Sequence, residues 1–168
     1  MRKVEVCDYQ KEWEELFQKE AAEIKKILGD NCVAVQHIGS TAVKGLAAKP
    51  VIDLMPVVKD IEAIDRFNQA FEQLGYEAKG ENGLKGRRYF QKGGDARTHH
   101  IHMYERGNGE INRHLAFRDF LKKHPKKAEK YGTLKKELAM KYPTDIEQYI
   151  RGKEWLVKEI EKQALEGF

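Results

Sequence analysis

Two stretches hold the residues most able to do chemistry. The first is VQHIGSTAVKGLAAKPVIDLMPVV, Val35 to Val58. It reads as an apolar strand over 33–38, a Gly39-Ser40-Thr41 turn, an irregular or short helical link, and a second strand over 50–58. A Gly-Ser turn offers backbone N–H groups and a hydroxyl, the donor set a phosphate needs. The second strand carries one carboxylate, Asp53, inside an apolar run. An acid there is costly unless it is paired or binds a cation. Asp53 is therefore read as a ligand for a divalent cation that bridges substrate phosphates; the competing reading pairs it with a basic side chain or with the Gly39 turn. Lys49, just ahead of the second strand, is grouped with the phosphate-binding residues.

The second stretch is THHIHMYE at 98–105. In a strand, His100, His102 and Tyr104 share one face, and Ile101 and Met103 the other. Two imidazoles two residues apart can bind one metal, or one can act as base while the other orients it. Of Arg87 and Arg88 on the preceding strand, one must face inward, where it could clamp a phosphate or carboxylate bidentately. Alternation leaves open which of the two it is. His114, Arg118 and Asp119 lie on the first C-terminal helix, where His114 and Arg118 fall within an apolar arc and so need partners. Arg118 either pairs with Asp53 or reaches substrate. Lys135 could face the cleft, but in so lysine-rich a region it is read as a surface residue.

The blocks HIGSTAVKGLAAKPVID at 37–53, THHIHMYE at 98–105, HLAFRDFLKKHP at 114–125 and YGTLKKELA at 131–139 resemble the GrpB family, a branch of the nucleotidyltransferase-like superfamily. The resemblance implies an α/β fold with a small mixed sheet, flanking helices and a C-terminal helical section. It implies that the Ser40 hydroxyl and the N–H groups of the Gly39-Ser40-Thr41 turn hold a phosphate, that His100 and His102 stand where the superfamily places a later acid, and that Arg88 is the inward arginine of the pair. Nucleotidyltransferases commonly carry two acids two residues apart; here the second position is Met55, which argues against a standard two-metal mechanism. A donor set of Asp53 with histidine favours zinc or manganese over magnesium. Two other motifs fail. No Gly-Lys-Ser/Thr follows Gly39 at P-loop spacing, and the third position of a histidine triad is Tyr104.

Periodicity supplies the elements that position these groups. An edge strand is expected within 1–7, and a helix over 9–28 capped by Asp8 and stopped by Gly29. A second helix is expected over 61–74, capped by Asp60. Strands follow at 76–79, 87–92 and 98–104, then helices at 109–124, 125–142 and 145–164. The expected sheet is mixed, with crossover-linked strands first and an antiparallel hairpin after them. One domain is expected over 1–168, with an α/β core at 1–106 and packed helices at 107–168. The net charge of +4 suits nucleotides, phosphorylated small molecules or RNA. No signal-like start and no long apolar run are visible, so the chain reads as cytoplasmic with no membrane partner. Cys7 and Cys32 lack metal-type spacing.

These readings converge on a metal-dependent nucleotidyl- or phosphoryl-transfer enzyme with an unidentified acceptor. The alternatives are an inactive binder of nucleotide or another small anion and, less favoured, an RNA- or protein-binding module on the lysine-rich helices.

Overall fold

The structure is a computed structural model that describes residues 2–167. Five strands form one sheet: β1 (Cys32–Ile38), β2 (Ile52–Val58), β3 (Tyr76–Ala78), β4 (Arg87–Lys92) and β5 (His99–Glu105). Their order is β1-β2-β5-β4-β3. β2 and β5 run parallel, while β1–β2, β4–β5 and β3–β4 are antiparallel. The sheet is mixed, as expected, but its first two strands are not crossover-linked. The link between them, 39–51, holds only a 3-10 turn at Ser40–Ala42 and reverses the chain. Its apolar residues Val43 and Leu46 are buried against the C-terminal helices, which keeps the link at one end of the sheet.

Alternation along the strands sorts side chains onto two faces. One face carries Ile52, Leu54, Phe90, Ile101 and Met103, buried with Trp13, Phe17, Ala21 and Ile24 of α1 (Glu12–Leu28) and Phe71 of α2 (Asn68–Gln73). The other face carries Asp53, His100 and His102. Beyond them a small cluster of Ile38, Met55 and Tyr104 meets Ile111 and Leu115 of α3 (Gly109–Lys123). Met55 is fully buried there. The position of the second acid therefore serves packing against α3.

The C-terminal section is α3, α4 (Pro125–Lys141) and α5 (Ile146–Glu166). Leu121, Ala128, Tyr131, Leu156 and Ile160 bury against one another and the β1–β2 link. Asp145 caps α5 by accepting from the Gln148 N–H, and Pro125 opens α4, where its missing N–H costs nothing.

Several boundaries differ from the sequence reading. Residues 2–7 form no strand; Cys7 makes a single antiparallel bridge to Ala48. α1 starts at Glu12 with no side-chain cap, and Asp8 pairs with Lys136 of α4 instead. The 61–74 helix divides into a 3-10 segment, Glu62–Phe67, and α2; Asp60 accepts from the N–H groups of Glu62 and Ala63. No helix among the described residues is long and apolar enough to cross a membrane.

Candidate metal and phosphate site

Register brings the chemistry together. In the parallel β2–β5 pair Asp53 stands opposite His100, and Asp53 also faces Ile38 across β1, one residue before the turn. His102 Nε2 donates to Asp53 Oδ1 at 3.0 Å, and His100 Nδ1 lies 3.5 Å from the same oxygen. The carboxylate is about a quarter exposed, at 27%. Burial by itself would raise the pKa of Asp53, but the hydrogen bonds and positive potential of His100 and His102 prevail and hold it well below the usual carboxylate range.

The turn is shaped around this carboxylate. Gly39 has φ 73°, and a Cβ there would lie 2.7 Å from Asp53 Oδ2. Only glycine allows both the left-handed backbone and the close approach. Thr41 is pinned beneath the turn. Its hydroxyl meets His37 Nε2 at 2.9 Å, and His37 stacks on Phe17 with centroids 4.6 Å apart and faces Glu14. Thr41 lines the cavity beside the triad, with its hydroxyl bonded to His37. Ser40 faces the cavity.

Asp53, His100 and His102 each present a ligand atom within 4.8 Å of the others. A tetrahedral ion with bonds of about 2.0–2.1 Å needs ligand atoms about 3.3 Å apart. The two nitrogen–oxygen separations, 3.0 and 3.5 Å, bracket that value, and the two imidazole nitrogens lie within 4.8 Å of each other. Spacing and donor type thus fit a small N/O-binding cation such as zinc or manganese. Two protons stand in the way, the one His102 Nε2 donates to Asp53 and one on His100. Arg97 reaches His100 Nε2 at 3.3 Å and can only donate. The His100 proton therefore sits on Nδ1, toward Asp53, and a cation at Nδ1 would have to displace it.

Beside the triad lies a cavity of about 450 Å³ lined by Gly39, Ser40, Asp53, His100 and residues of all three C-terminal helices. Three lysines enter it: Lys49 from the link, Lys135 from α4 and Lys153 from α5. Lys135 is 2% exposed and donates to Ser40 Oγ at 2.7 Å. Lys49 rests over Tyr149, and Lys153 over Tyr149 and Tyr131. None of the three makes an ion pair among the described residues.

Burial, reinforced by the neighbouring lysines, pushes Lys135 well below its ordinary value and Lys49 down to about 8; burial also lowers Lys153. His114 is held neutral, its pKa lowered to about 3 by burial and then by Arg113 and His102. Arg113 bonds Glu110 and Glu161, which fixes its guanidinium at the cavity wall.

The structure thus gathers Asp53, His100, Gly39, Ser40, Thr41 and Lys49 around one crevice, with His102 held against Asp53 beside it. It does not bring the two predicted arginines there. Arg88 lies on the opposite face of β4, where it pairs with Asp65 at 2.9 Å, because alternation gives the site face to Arg87 and Tyr89. Arg118 does not meet Asp53. It bonds Asp119, Gln36 Oε1 and the His37 carbonyl, tying α3 to β1. Lys135, Lys153, Tyr131 and Tyr149 escaped the sequence reading as site residues. The available signal was position: Lys135 lies four residues after Tyr131 and three before Leu138, and Lys153 stands likewise between Tyr149 and Leu156. Both lysines therefore fall on the apolar stripe of their helix.

Comparison with known proteins places this arrangement in a family. A family model described as GrpB protein matches residues 3–163. The chain is 50% identical over 163 residues to the UPF0157 protein YqkA of Bacillus subtilis, covering 97% of this chain but only 48% of that relative, about half its length. It is 35% identical over 153 residues to the glutamate-rich protein GrpB of Alkalihalophilus pseudofirmus, covering 88% of each. The crystal structure of the conserved protein GrpB from Enterococcus faecalis superposes with a TM-score of 0.94 at 50% identity, covering 97% of this chain and 98% of that one. A Cid1 poly(U) polymerase structure aligns at a TM-score of 0.46 and 11% identity over 77% of this chain and 43% of that one, too distant to carry an argument. By the family match over almost its whole length, the chain belongs to the GrpB family.

Proposed function

We propose that the cavity binds a phosphate-bearing small molecule, a nucleotide or a phosphorylated metabolite, and that the site transfers a phosphoryl or nucleotidyl group from it. The observation that carries this reading is the set of three lysines with no carboxylate partner at a Gly-Ser turn. Desolvated cations that repel one another are unfavourable in the free protein. A polyanion is the ligand that would turn that cost into binding energy.

Asp53, His100 and His102 would hold the divalent cation, which would offset charge developing on the transferred group. Ser40 and Lys135 would fix a phosphate oxygen at the turn, Lys49 and Lys153 would neutralise the rest of the chain, and neutral His114 would leave that charge balance unaltered. A second reading, a binder without turnover, is favoured by one observation: Met55 is a buried packing residue, so the triad supplies one carboxylate where two are usual.

Calorimetry with ATP, GTP, CTP and UTP, with and without manganese or zinc, tests the binding step. Cation-enhanced binding that is lost in Asp53→Ala and weakened in Lys135→Met is expected. Absence of binding by any of the four would overturn the proposal. Release of phosphate or pyrophosphate, followed by phosphorus NMR, separates transfer from binding alone.

A further inference from the structure

The walls of the cavity say which part of such a ligand is recognised. A nucleobase is held by a free aromatic face and by amide or carboxylate groups that read its edge. The cavity has five aromatic rings, and each is already engaged: His100 lies against Asp53 and Arg97, and His114 against Tyr104 and Arg113. Lys135 Nζ lies 4.4 Å from the Tyr131 centroid, and Lys153 Nζ lies 5.9 Å from the same ring. Lys153 Nζ and Lys49 Nζ lie 5.1 and 5.3 Å from the Tyr149 centroid. Phe117 stands edge-to-face with Tyr131, at 6.1 Å and 87°. No Asn or Gln lines the cavity. Of its two glutamates, Glu161 is bound to Arg113 and Glu154 to Lys158.

The unspent hydrogen-bonding capacity is instead of the kind that suits phosphate. Tyr149 is fully buried in this wall, and its hydroxyl has no hydrogen-bond partner among the described residues. A buried, unpaired hydroxyl is costly unless a ligand satisfies it. A phosphate oxygen accepts from hydroxyl and ammonium alike, so Tyr149, Lys49, Lys135 and Lys153 form one donor set drawn from the link and two helices.

We infer that the ligand class is the linear phosphoanhydride chain itself, with the nucleoside contributing little, so that inorganic triphosphate is a sufficient ligand. This inference rests on the reading of the cavity as a phosphate site and narrows it. A nucleoside triphosphate and a free polyphosphate share this chemistry, and the test tells the two sources apart.

The test is calorimetry on the full chain, free of divalent cations, with inorganic tripolyphosphate, ATP, UTP and adenosine. Tripolyphosphate, ATP and UTP should bind within about threefold of one another, and adenosine should give no heat. Lys153→Met should weaken tripolyphosphate at least tenfold, and the exposed Lys123→Met should leave it unchanged, which separates the cavity from general attraction to a basic protein. Tyr149→Phe removes only the unpaired hydroxyl and keeps the packing; it should weaken tripolyphosphate several-fold with the fold intact. A tenfold or greater preference for either nucleotide over tripolyphosphate, or binding of adenosine, would overturn the inference and leave the phosphate site standing. Failure of all three phosphates to bind without divalent cations would overturn the inference, and failure with manganese present as well would remove both readings. Equal loss in Lys123→Met and Lys153→Met would also overturn the inference, since binding would then be diffuse.

Discussion

Lys49→Met should make the free protein more stable at neutral pH while weakening its hold on phosphate. Lys49 is partly buried, its ammonium has no carboxylate partner, and its pKa is pushed down to about 8 by burial, then by Lys153 and Arg2, with Asp53 offsetting part of the effect. The lowered value means that the unfolded chain binds the proton more tightly than the folded one. The resulting destabilisation is complete below the folded value and fades as pH rises toward 10.5. It amounts to about 3 kcal/mol at pH 7 and about 1.4 kcal/mol at pH 9.5.

Methionine keeps most of the stem over Tyr149 and gives up a cation–π contact of about 1 kcal/mol. The variant should therefore gain about 2 kcal/mol at pH 7, or about 4–8 °C in Tm for a chain of this size, and a smaller amount, about 1.4 kcal/mol, at pH 9.5, where the folded-state amine is neutral and has no cation–π contact to lose. Urea denaturation at the two pH values reads the difference. Tripolyphosphate or ATP affinity should fall about ten- to a hundredfold, the loss expected for one charge-assisted contact. A variant less stable than the parent at pH 7, or a stability difference that does not shrink by pH 9.5, would show that the ammonium is not desolvated as argued.

Gly39→Ala should cost about 2–4 kcal/mol in urea denaturation, because it combines a left-handed backbone with a Cβ driven into the Asp53 carboxylate. Arg97→Ala should tighten manganese or zinc binding several-fold by calorimetry, since it releases His100 Nε2 from a donor that fixes the wrong tautomer for a metal at Nδ1. Arg118→Met should lower stability by about 1–2 kcal/mol, through loss of its bonds to Gln36 and the His37 carbonyl, and leave ATP affinity within twofold. Arg88→Met should likewise spare ATP affinity, because its partner Asp65 lies on the far face of the sheet.

How far the sequence could be read followed from the regularity of each element. Strand alternation is strict, so His100 and His102 could be assigned to one face, and the parallel register then set Asp53 against them. The same alternation holds for Arg87 and Arg88, but both are arginines in a short strand, and no apolar partner in the sequence marks the inner face. Two of the three cavity lysines, Lys135 and Lys153, were hidden by composition, whereas Lys49 was marked by its place ahead of the second strand. Lysine is so frequent in α3 and α4 that Lys135 is conspicuous only by its place on the Tyr131–Leu138 stripe. The antiparallel β1–β2 pairing depends on Val43 and Leu46 being drawn to helices far along the chain, a tertiary demand that local pattern does not carry.

The central claim is that a cation at Asp53, His100 and His102 and a phosphate chain at Ser40, Lys49, Lys135 and Lys153 occupy one crevice. Crystals grown with manganese and a non-hydrolysable ATP analogue test it directly through the anomalous signal of the metal. The account predicts a manganese peak within bonding distance of Asp53 and at least one of the two histidines, with phosphate density against Ser40 and the lysines. Manganese bound elsewhere, or phosphates seated away from the lysines, would contradict it.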